Sequence, residues 1–310
     1  MCTRFTVPPL TFVFFVVAVA LTCFTGTYAP AKDTVYKVRV QQDLTYASKD
    51  GVDLRCDVYS PSQESIGSGN ARYPAVAVIH GGAWSSGSKM VMANYASKLA
   101  EIGIIAVAID YRHAPLHKFP AQVDDLRDAL VWMNKNAEEY LIDLSRVGLF
   151  GYSAGGHLAC LMATLEDESL ERKLTTSEWE ADDPRWHQIP KIQCVVAGGP
   201  PCEFRDLPPN NTGLAFFLGG SRAERPEVYA AASPVSFASN GDCPICFVHG
   251  DKDFIVPIKS SRCLFEAQIE SGVQCEFVVV DKQGHMITFL HPKLTDSLLD
   301  FMKRKLLDPI

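Results

Sequence analysis

The sequence predicts an α/β fold, a mostly parallel eight-stranded sheet with helices on both faces and short cap insertions. Three observations carry that expectation. Two strands alternating apolar and polar residues come first, six short and continuous apolar runs follow, and amphipathic helical stretches separate those runs. Runs apolar on both faces need cover above and below, which is the arrangement of a parallel sheet between helices.

Before the first strand, the opening thirty-one residues stand apart. Arg4 is their only charge, the run "LTFVFFVVAVALTCF" spans Leu10 to Phe24, and "APA" ends at Ala31. This reads as a signal peptide over residues 1–31, cleaved after Ala31 and leaving a secreted or periplasmic protein. A membrane anchor is the alternative, but the apolar run is shorter than the roughly 20 residues a spanning helix needs. The remaining 32–310 are expected to form one domain, within the size that α/β chains reach as a single unit. With 47% apolar and 21% charged residues the composition suits a packed core.

Val35 to Ser48 and Val52 to Ser60 show the two-residue alternation of a half-buried hairpin, turning at Asp50-Gly51 and suited to a sheet edge. The six apolar runs are Ala75–His80, Ile104–Asp110, Arg146–Tyr152, Ile192–Gly198, Ile245–Gly250 and Cys275–Asp281. Between them, Val123, Leu126, Leu130 and Met133 recur at helical spacing behind Pro120, a helix from Ile258 stops at Gly272, and Leu294, Leu298 and Met302 share one face of a last helix. Two segments break the rhythm, 166–190 and 202–232. Both are expected to be surface insertions near the ligand-binding edge, and the second carries "AFFLGG", whose phenylalanines need something to pack on.

The formal charge of −7, or −8 once Arg4 leaves with the leader, comes with no basic block and so gives no footprint for nucleic acid. Ten cysteines are present, and Cys2 and Cys23 fall in the leader. "CPIC" at Cys243 to Cys246 lacks a second pair at zinc spacing, so core strand cysteines are the expectation. No HExxH helix and no GxxxxGK[ST] loop occurs, and the chemistry inferred below calls for no metal or cofactor.

That chemistry starts from Gly151-Tyr152-Ser153-Ala154-Gly155, at the end of one apolar run and the start of a helix. With Gly near 7% of residues, such a pattern arises by chance in roughly one chain in ten, so its placement carries the weight. A serine on a strand-to-helix turn projects outward, and the helix's first N–H groups face the reacting oxygen. Serine also needs a base, and the base needs an acid. His285 follows the last apolar run, and Asp253 follows the one before, in the order Ser, Asp, His; Asp251 and Asp281 remain alternatives for the acid. "HGGAW", His80 to Trp84, ends the first apolar run and offers oxyanion donors at Gly82 and Ala83, joined by Ala154. Trp84, Tyr152 and Met286 flank these positions as candidate pocket walls.

Taken together, "VIHGGAW", "DYRHAPLHKFPAQVDDLRDALVWM", "RVGLFGYSAGGHLA", "ASPVSF", "CFVHGDKDFIVP" and "GHM" resemble the α/β-hydrolase superfamily. Over roughly Val52 to Leu307 the chain is similar to esterases of the BD-FAE and hormone-sensitive-lipase-like group. Tyr152 before the serine and Ala83 after "HGG" place it toward the BD-FAE and kynurenine formamidase side. The resemblance implies a triad of Ser153, Asp253 and His285, favouring Asp253 among the acids, and an oxyanion role for Gly82 and Ala83. It also implies that Arg112 and Asp125 form a structural ion pair. The resulting expectation is an exported serine hydrolase that cleaves small-molecule carboxylic esters of short acyl groups through an acyl-enzyme, acylated saccharides among them. Arylformamidase-like amide hydrolysis is the enzymatic alternative. A catalytically inactive hydrolase fold used for binding is the alternative of another class, and it predicts a missing triad residue.

Overall fold

The computed structural model describes residues 35–62 and 72–308, so the leader reading for 1–31 lies outside the described residues. Eight strands form one sheet: β1 (Val38–Lys49), β2 (Val52–Pro61), β3 (Tyr73–Ile79), β4 (Ile105–Ile109), β5 (Ile142–Tyr152), β6 (Ile192–Gly198), β7 (Ile245–Gly250) and β8 (Glu276–Val280). Their spatial order is β1-β2-β4-β3-β5-β6-β7-β8. The hairpin β1–β2 is antiparallel and β2 meets β4 antiparallel, while every other neighbouring pair is parallel.

Burial follows position in the sheet. Every residue of β4 and β7 is buried, as expected of strands covered on both faces, whereas edge strand β1 is part-buried or exposed at every residue but Tyr46. Along β3, Ala75, Ala77 and Ile79 face a core shared with Val123, Leu126, Leu130, Leu158 and Leu161 from the helices Ala121–Lys135 and Ala154–Thr164. Val76 and Val78 face the opposite core, with Leu99 from Ala93–Glu101 and Leu298 and Phe301 from Pro292–Met302. The two-residue period of a strand thus feeds two separate helix layers.

The chain runs from β3 outward to β4, then crosses to place β5 on the other side of β3. At such a reversal the loops leaving the carboxyl ends diverge and open a crevice. Ile79 is paired with Gly151 there, so the loop after β3 and the turn after β5 start side by side. Gly198 pairs with Tyr152 and with Val248, and Gly250 pairs with Val280, which brings the ends of β6, β7 and β8 to the same edge. The position of β4 outside β3 was not readable from apolar runs, because their sequence order does not encode their spatial order.

Arg112 and Asp125 make the ion pair the resemblance implied, with Arg112 Nη2 2.8 Å from Asp125 Oδ1 and the Arg112 backbone N–H donating to Oδ2 at 2.7 Å. Both side chains are buried, and Asp50 in the β1–β2 turn also pairs with Arg112. The loop after β4 is thereby tied to the following helix and to the hairpin.

Segment 166–190 holds a short helix, Leu170–Leu174, and packs on the helix Ala121–Lys135. Arg127 donates to Thr176, Arg185 pairs with Asp128, and Asp124 accepts from Ser177 and Glu178. Segment 202–232 folds over the carboxyl edge, with short helices Ala215–Leu218 and Pro226–Ala231. Phe217 there is buried against Trp84 and Phe119, which answers the packing need of "AFFLGG".

Candidate active site

Ser153 has φ 53° and ψ −118°, a backbone state that L-residues adopt only when their surroundings enforce it. The enforcement is visible. Its N–H donates to Gly198 O of β6 at 2.7 Å, and its C=O accepts from His157 N at 2.9 Å as the helix begins. A Cβ on Gly151 would stand 2.2 Å from Gly155 O, and one on Gly155 would stand 2.2 Å from Ile79 O. Strand, helix and neighbouring strand therefore meet backbone to backbone, and both glycines of the five-residue pattern are steric requirements. Ala154 opens the helix, so its N–H has no intrahelical acceptor and is free for a ligand oxygen.

Beside this turn runs the loop from His80 to Trp84. Gly82, Ala83 and Trp84 have φ of 120°, 51° and 58°. Gly82 O accepts the N–H groups of Ser85 and Ser86 at 3.1 and 3.0 Å, which closes a tight turn. Trp84, which carries a large side chain at positive φ, is held by packing and hydrogen bonds. Trp84 stacks on Phe217 with centroids 4.2 Å apart, its C=O accepts from Ala114 N at 2.8 Å, and its indole N–H donates to His157 Nδ1 at 3.1 Å. His157 Nε2 then donates to Ala232 O at 2.7 Å, which sets its neutral tautomer, and complete burial pushes its pKa down to about 4. His80, stacked on Tyr111 and bonded to Gly81 O at 2.7 Å, is likewise pushed down to about 4 by burial.

His285 begins a short helix, His285–Leu290, rather than lying in an open loop. Its Nδ1 is 2.6 Å from Asp253 Oδ2. The other carboxylate oxygen, Oδ1, accepts the backbone N–H groups of Ile255 and Val256 at 3.0 and 2.8 Å. Burial pushes the Asp253 carboxyl up, but hydrogen bonds from His249, His285 and Val256 N outweigh it and hold the acid well below the usual carboxylate range. An ionised acid fixes His285 with Nδ1–H toward Asp253 and Nε2 free to take a proton. Asp251 instead accepts the backbone N–H of Lys282 at 2.5 Å, and Asp281 is exposed, so Asp253 alone of the three candidates meets the histidine. Among the described residues no hydrogen bond joins Ser153 Oγ to His285; such contacts commonly tighten only when substrate is present.

Ala83, Trp84, Ser153 and Ala154 line a cavity of about 540 Å³. Phe204, Leu214 and Phe216 of segment 202–232 contribute apolar wall, whereas segment 166–190 contributes nothing to it. Trp84 is a wall residue and, at 4% exposure, also part of the core. Tyr152 and Met286 are not among the lining residues. Tyr152 is buried under the histidine, its hydroxyl donating to His285 O at 2.5 Å, and Met286, 62% exposed, sits on the outer rim. Their positions next to catalytic candidates in the chain do not put them in the cavity: in one direction β5 turns Tyr152 under the sheet edge, and in the other the helix turns Met286 to solvent.

Two contributors were missed in the sequence, His157 behind Trp84 and His249 beside Asp253. Each stands four residues from a candidate, Ser153 and Asp253 respectively, but that spacing acquires meaning only once the turn and the acid loop are folded. The eight described cysteines are free, and Cys243 and Cys246 are buried. No group of three or more metal-ligating side chains occurs among the described residues, and none of their helices is long and apolar enough to cross a membrane.

Comparison with known proteins identifies the fold and the family. The chain is 28% identical to esterase LipC of Mycobacterium tuberculosis over 221 residues, covering 68% of this chain and 52% of that protein. It is 28% identical to isoprenylcysteine alpha-carbonyl methylesterase ICME of Arabidopsis thaliana over 297 residues, 91% of this chain and 66% of that one. The chain spans about half the length of the first mycobacterial relatives it matches. Among solved structures, a truncated carbohydrate esterase from gut microbiota superposes with a TM-score of 0.74 at 25% identity, covering 89% of this chain and 98% of that one. The apo form of Thermogutta terrifontis esterase 2 superposes with a TM-score of 0.68 at 25% identity over 89% and 96% of the two chains. These are the folds of α/β-hydrolase esterases. The BD-FAE family matches residues 56–268, from β2 to the helix after the acid loop, and the chain belongs to that family.

Proposed function

We propose that this protein is a serine hydrolase of carboxylic esters. The observation that carries the reading is the bond from His285 Nδ1 to an ionised Asp253 at 2.6 Å, at the sheet edge where Ser153 is held on a positive-φ turn and lines an apolar cavity. In this reading His285 Nε2 takes the Ser153 hydroxyl proton as Oγ adds to the ester carbonyl. The oxyanion receives N–H groups of Gly82, Ala83 and Ala154, each donor of this kind being worth about 3 kcal/mol of barrier. His285 then returns the proton to the leaving alcohol. Water, deprotonated by the same nitrogen, cleaves the acyl-enzyme and regenerates the serine.

The acyl group is short, and the larger half of the substrate is the alcohol. Trp84, clamped between Phe217 and the His157 bond, is a rigid wall beside Ser153, while segment 202–232 leaves most of the cavity apolar and roomy. The carbohydrate esterase likeness favours acylated saccharides among candidate alcohols. Residues 32–310 act as one domain in which 202–232 is the cap, and removal of the 1–31 leader delivers the enzyme outside the cytoplasm.

The test is hydrolysis of p-nitrophenyl acetate, butyrate and longer esters, of acetylated xylo-oligosaccharides and of N-formylkynurenine, with Ser153→Ala in parallel. Turnover of the short esters, absent from Ser153→Ala and falling with chain length, is the expected result. Activity that survives in Ser153→Ala overturns the mechanism, and preference for N-formylkynurenine overturns the ester assignment. Sequencing the N-terminus of protein exported by cells checks the leader, with Lys32 expected as the first residue.

A further inference from the structure

Asp253 carries a second imidazole. His249, the fifth residue of β7 and 0% exposed, lies with Nε2 3.2 Å from Asp253 Oδ2, the same oxygen that holds His285. Nε2 is also 2.9 Å from Val256 O, the carbonyl of a residue whose N–H binds Asp253 Oδ1. On the far side of the ring, Nδ1 is 2.7 Å from Ser261 Oγ, and Ser261 Oγ is 2.7 Å from Pro200 O.

Counting hydrogens settles what Nε2 does. It faces two oxygens, a carboxylate and a carbonyl, and a bare lone pair there would face both with nothing between them. Ser261 has one hydrogen. Donated to His249 Nδ1, it leaves the neutral ring's own hydrogen on Nε2, facing the two oxygens. Nε2 then carries a hydrogen that bonds Val256 O at 2.9 Å, with Asp253 Oδ2 3.2 Å from the same nitrogen. A buried carboxylate with all its oxygens occupied has no freedom to rotate away from the base.

We propose that His249 is a positioning residue for the acid: its Nε2–H holds Asp253 Oδ2 and the Val256 carbonyl together, and so sets both the orientation of His285 and the basicity of the oxygen that His285 uses. This rests on the reading of Ser153, Asp253 and His285 as a triad. Removal of the donor leaves Oδ2 serving His285 alone, as a stronger acceptor. Protonated His285 is then stabilised and the base is won only at higher pH. The titratable groups against this assembly are Asp253, His285 itself and Tyr152, whose hydroxyl bonds His285 O; none of them changes in the His249 variants below.

Three substitutions separate positioning from simple packing. Gln places an amide N–H near the site of Nε2, Asn places it near that of Nδ1, and Leu removes it. For p-nitrophenyl butyrate, His249→Leu is expected to lower kcat by about 10- to 100-fold, the scale found when an orienting partner is removed, with KM little changed. The acid limb of kcat/KM should rise by roughly 0.5–1 pH unit. His249→Gln should recover most of kcat and return the limb to its place, and His249→Asn should resemble Leu. If Leu does not fold, the Gln and Asn pair, alike in polarity, carries the test. Unchanged kcat in Leu or Asn, or a loss with an unmoved limb that Gln does not restore, overturns the proposal. Ser153→Ala and Asp253→Asn assayed alongside keep the two readings apart: activity surviving there removes the triad, whereas their inactivity beside an indifferent His249 removes only this inference.

Discussion

The serine turn and the donor loop meet through backbone atoms, whereas the acid and the histidine meet through protons. On the first side, Gly81, Gly151 and Gly155 leave no room for a Cβ against Tyr152 O, Gly155 O and Ile79 O. Trp84 is kept at positive φ by aromatic packing on Phe217. On the second side, Asp253 accepts two backbone N–H groups and bonds the His285 imidazole, with His249 Nε2 3.2 Å away, and the surrounding rim is open, with Phe254 90% exposed. Close-packed backbone gives position at the cost of tolerance. Hydrogen bonding gives control of protonation, which can be tuned by one atom without moving the chain.

The largest test of this contrast sets two glycines against each other. In Gly155→Ala the new Cβ would lie 2.2 Å from Ile79 O and 2.5 Å from His80 O, neither of which can retreat without opening β3. The expected cost is above ~4 kcal/mol, enough to deplete folded protein. At Gly284, immediately before His285, the nearest atom to an added Cβ is Lys252 O at 3.4 Å, an ordinary contact, and φ is −89°. Gly284→Ala should fold and shift stability by less than ~1 kcal/mol. Denaturant melts of both variants decide the matter, and equal behaviour would remove the distinction between the two sides.

Next in size is Asp253→Asn. The amide can still accept from Ile255 and Val256, but its N–H₂ faces the imidazoles and favours the wrong tautomer of His285. A fall in kcat of about 10³–10⁴ is expected, with a folded protein by circular dichroism. Asp281→Asn, exposed and away from the histidine, should leave kcat within roughly twofold.

These two sides also differ in how far the sequence disclosed them. G-x-S-x-G and "HGGAW" were legible because a steric requirement writes itself as glycine at fixed spacing, and apolar runs marked the strands that carry them. Asp253 and His285 were legible as strand-end residues, although the choice of acid needed the family resemblance, since Asp251 and Asp281 lie equally near strand ends. The supporting shell was not legible. His157 and Trp84 are 73 residues apart, and Phe217 comes from an insertion without periodic pattern. Such contacts depend on the order β4-β3-β5, which places the serine turn beside the donor loop. Tyr152 and Met286 show the converse, since neighbours in sequence were turned away by local strand and helix geometry.

A smaller effect probes the backbone-held side through that shell. His157→Phe keeps the ring but deprives the Trp84 indole of its acceptor, at a cost of about 1–3 kcal/mol near pH 7. His157 titrates at about 4 when folded against 6.5 in the unfolded chain, so its contribution is whole above 6.5 and is lost as pH falls toward 4. The gap in melting temperature between wild type and His157→Phe should therefore narrow over that interval. The acid limb of kcat/KM should stay in place, unlike in His249→Leu. A moved limb would mean that the two sides share protonation control.

The smallest effect lies just beyond the same helix, at Glu166. Its Oε2 accepts from Ile192 N at 3.0 Å, and burial raises its pKa to about 7 from 4.5. The sign is opposite to that of His157: the folded state holds the Glu166 proton between 4.5 and 7, so this contribution is whole below 4.5 and is lost as pH rises through 7. Gln stays neutral at every pH and can keep the bond to Ile192. Glu166→Gln should match wild type at pH 4.5 and exceed it at pH 8 by about 1–2 kcal/mol, a figure reduced from the full shift because the carboxyl is only partly removed from water. Denaturant melts at the two pH values measure the difference. Since Glu166 is absent from the lining of the cavity at Ser153, kcat on a short ester should not change, and a change would tie segment 166–190 to catalysis.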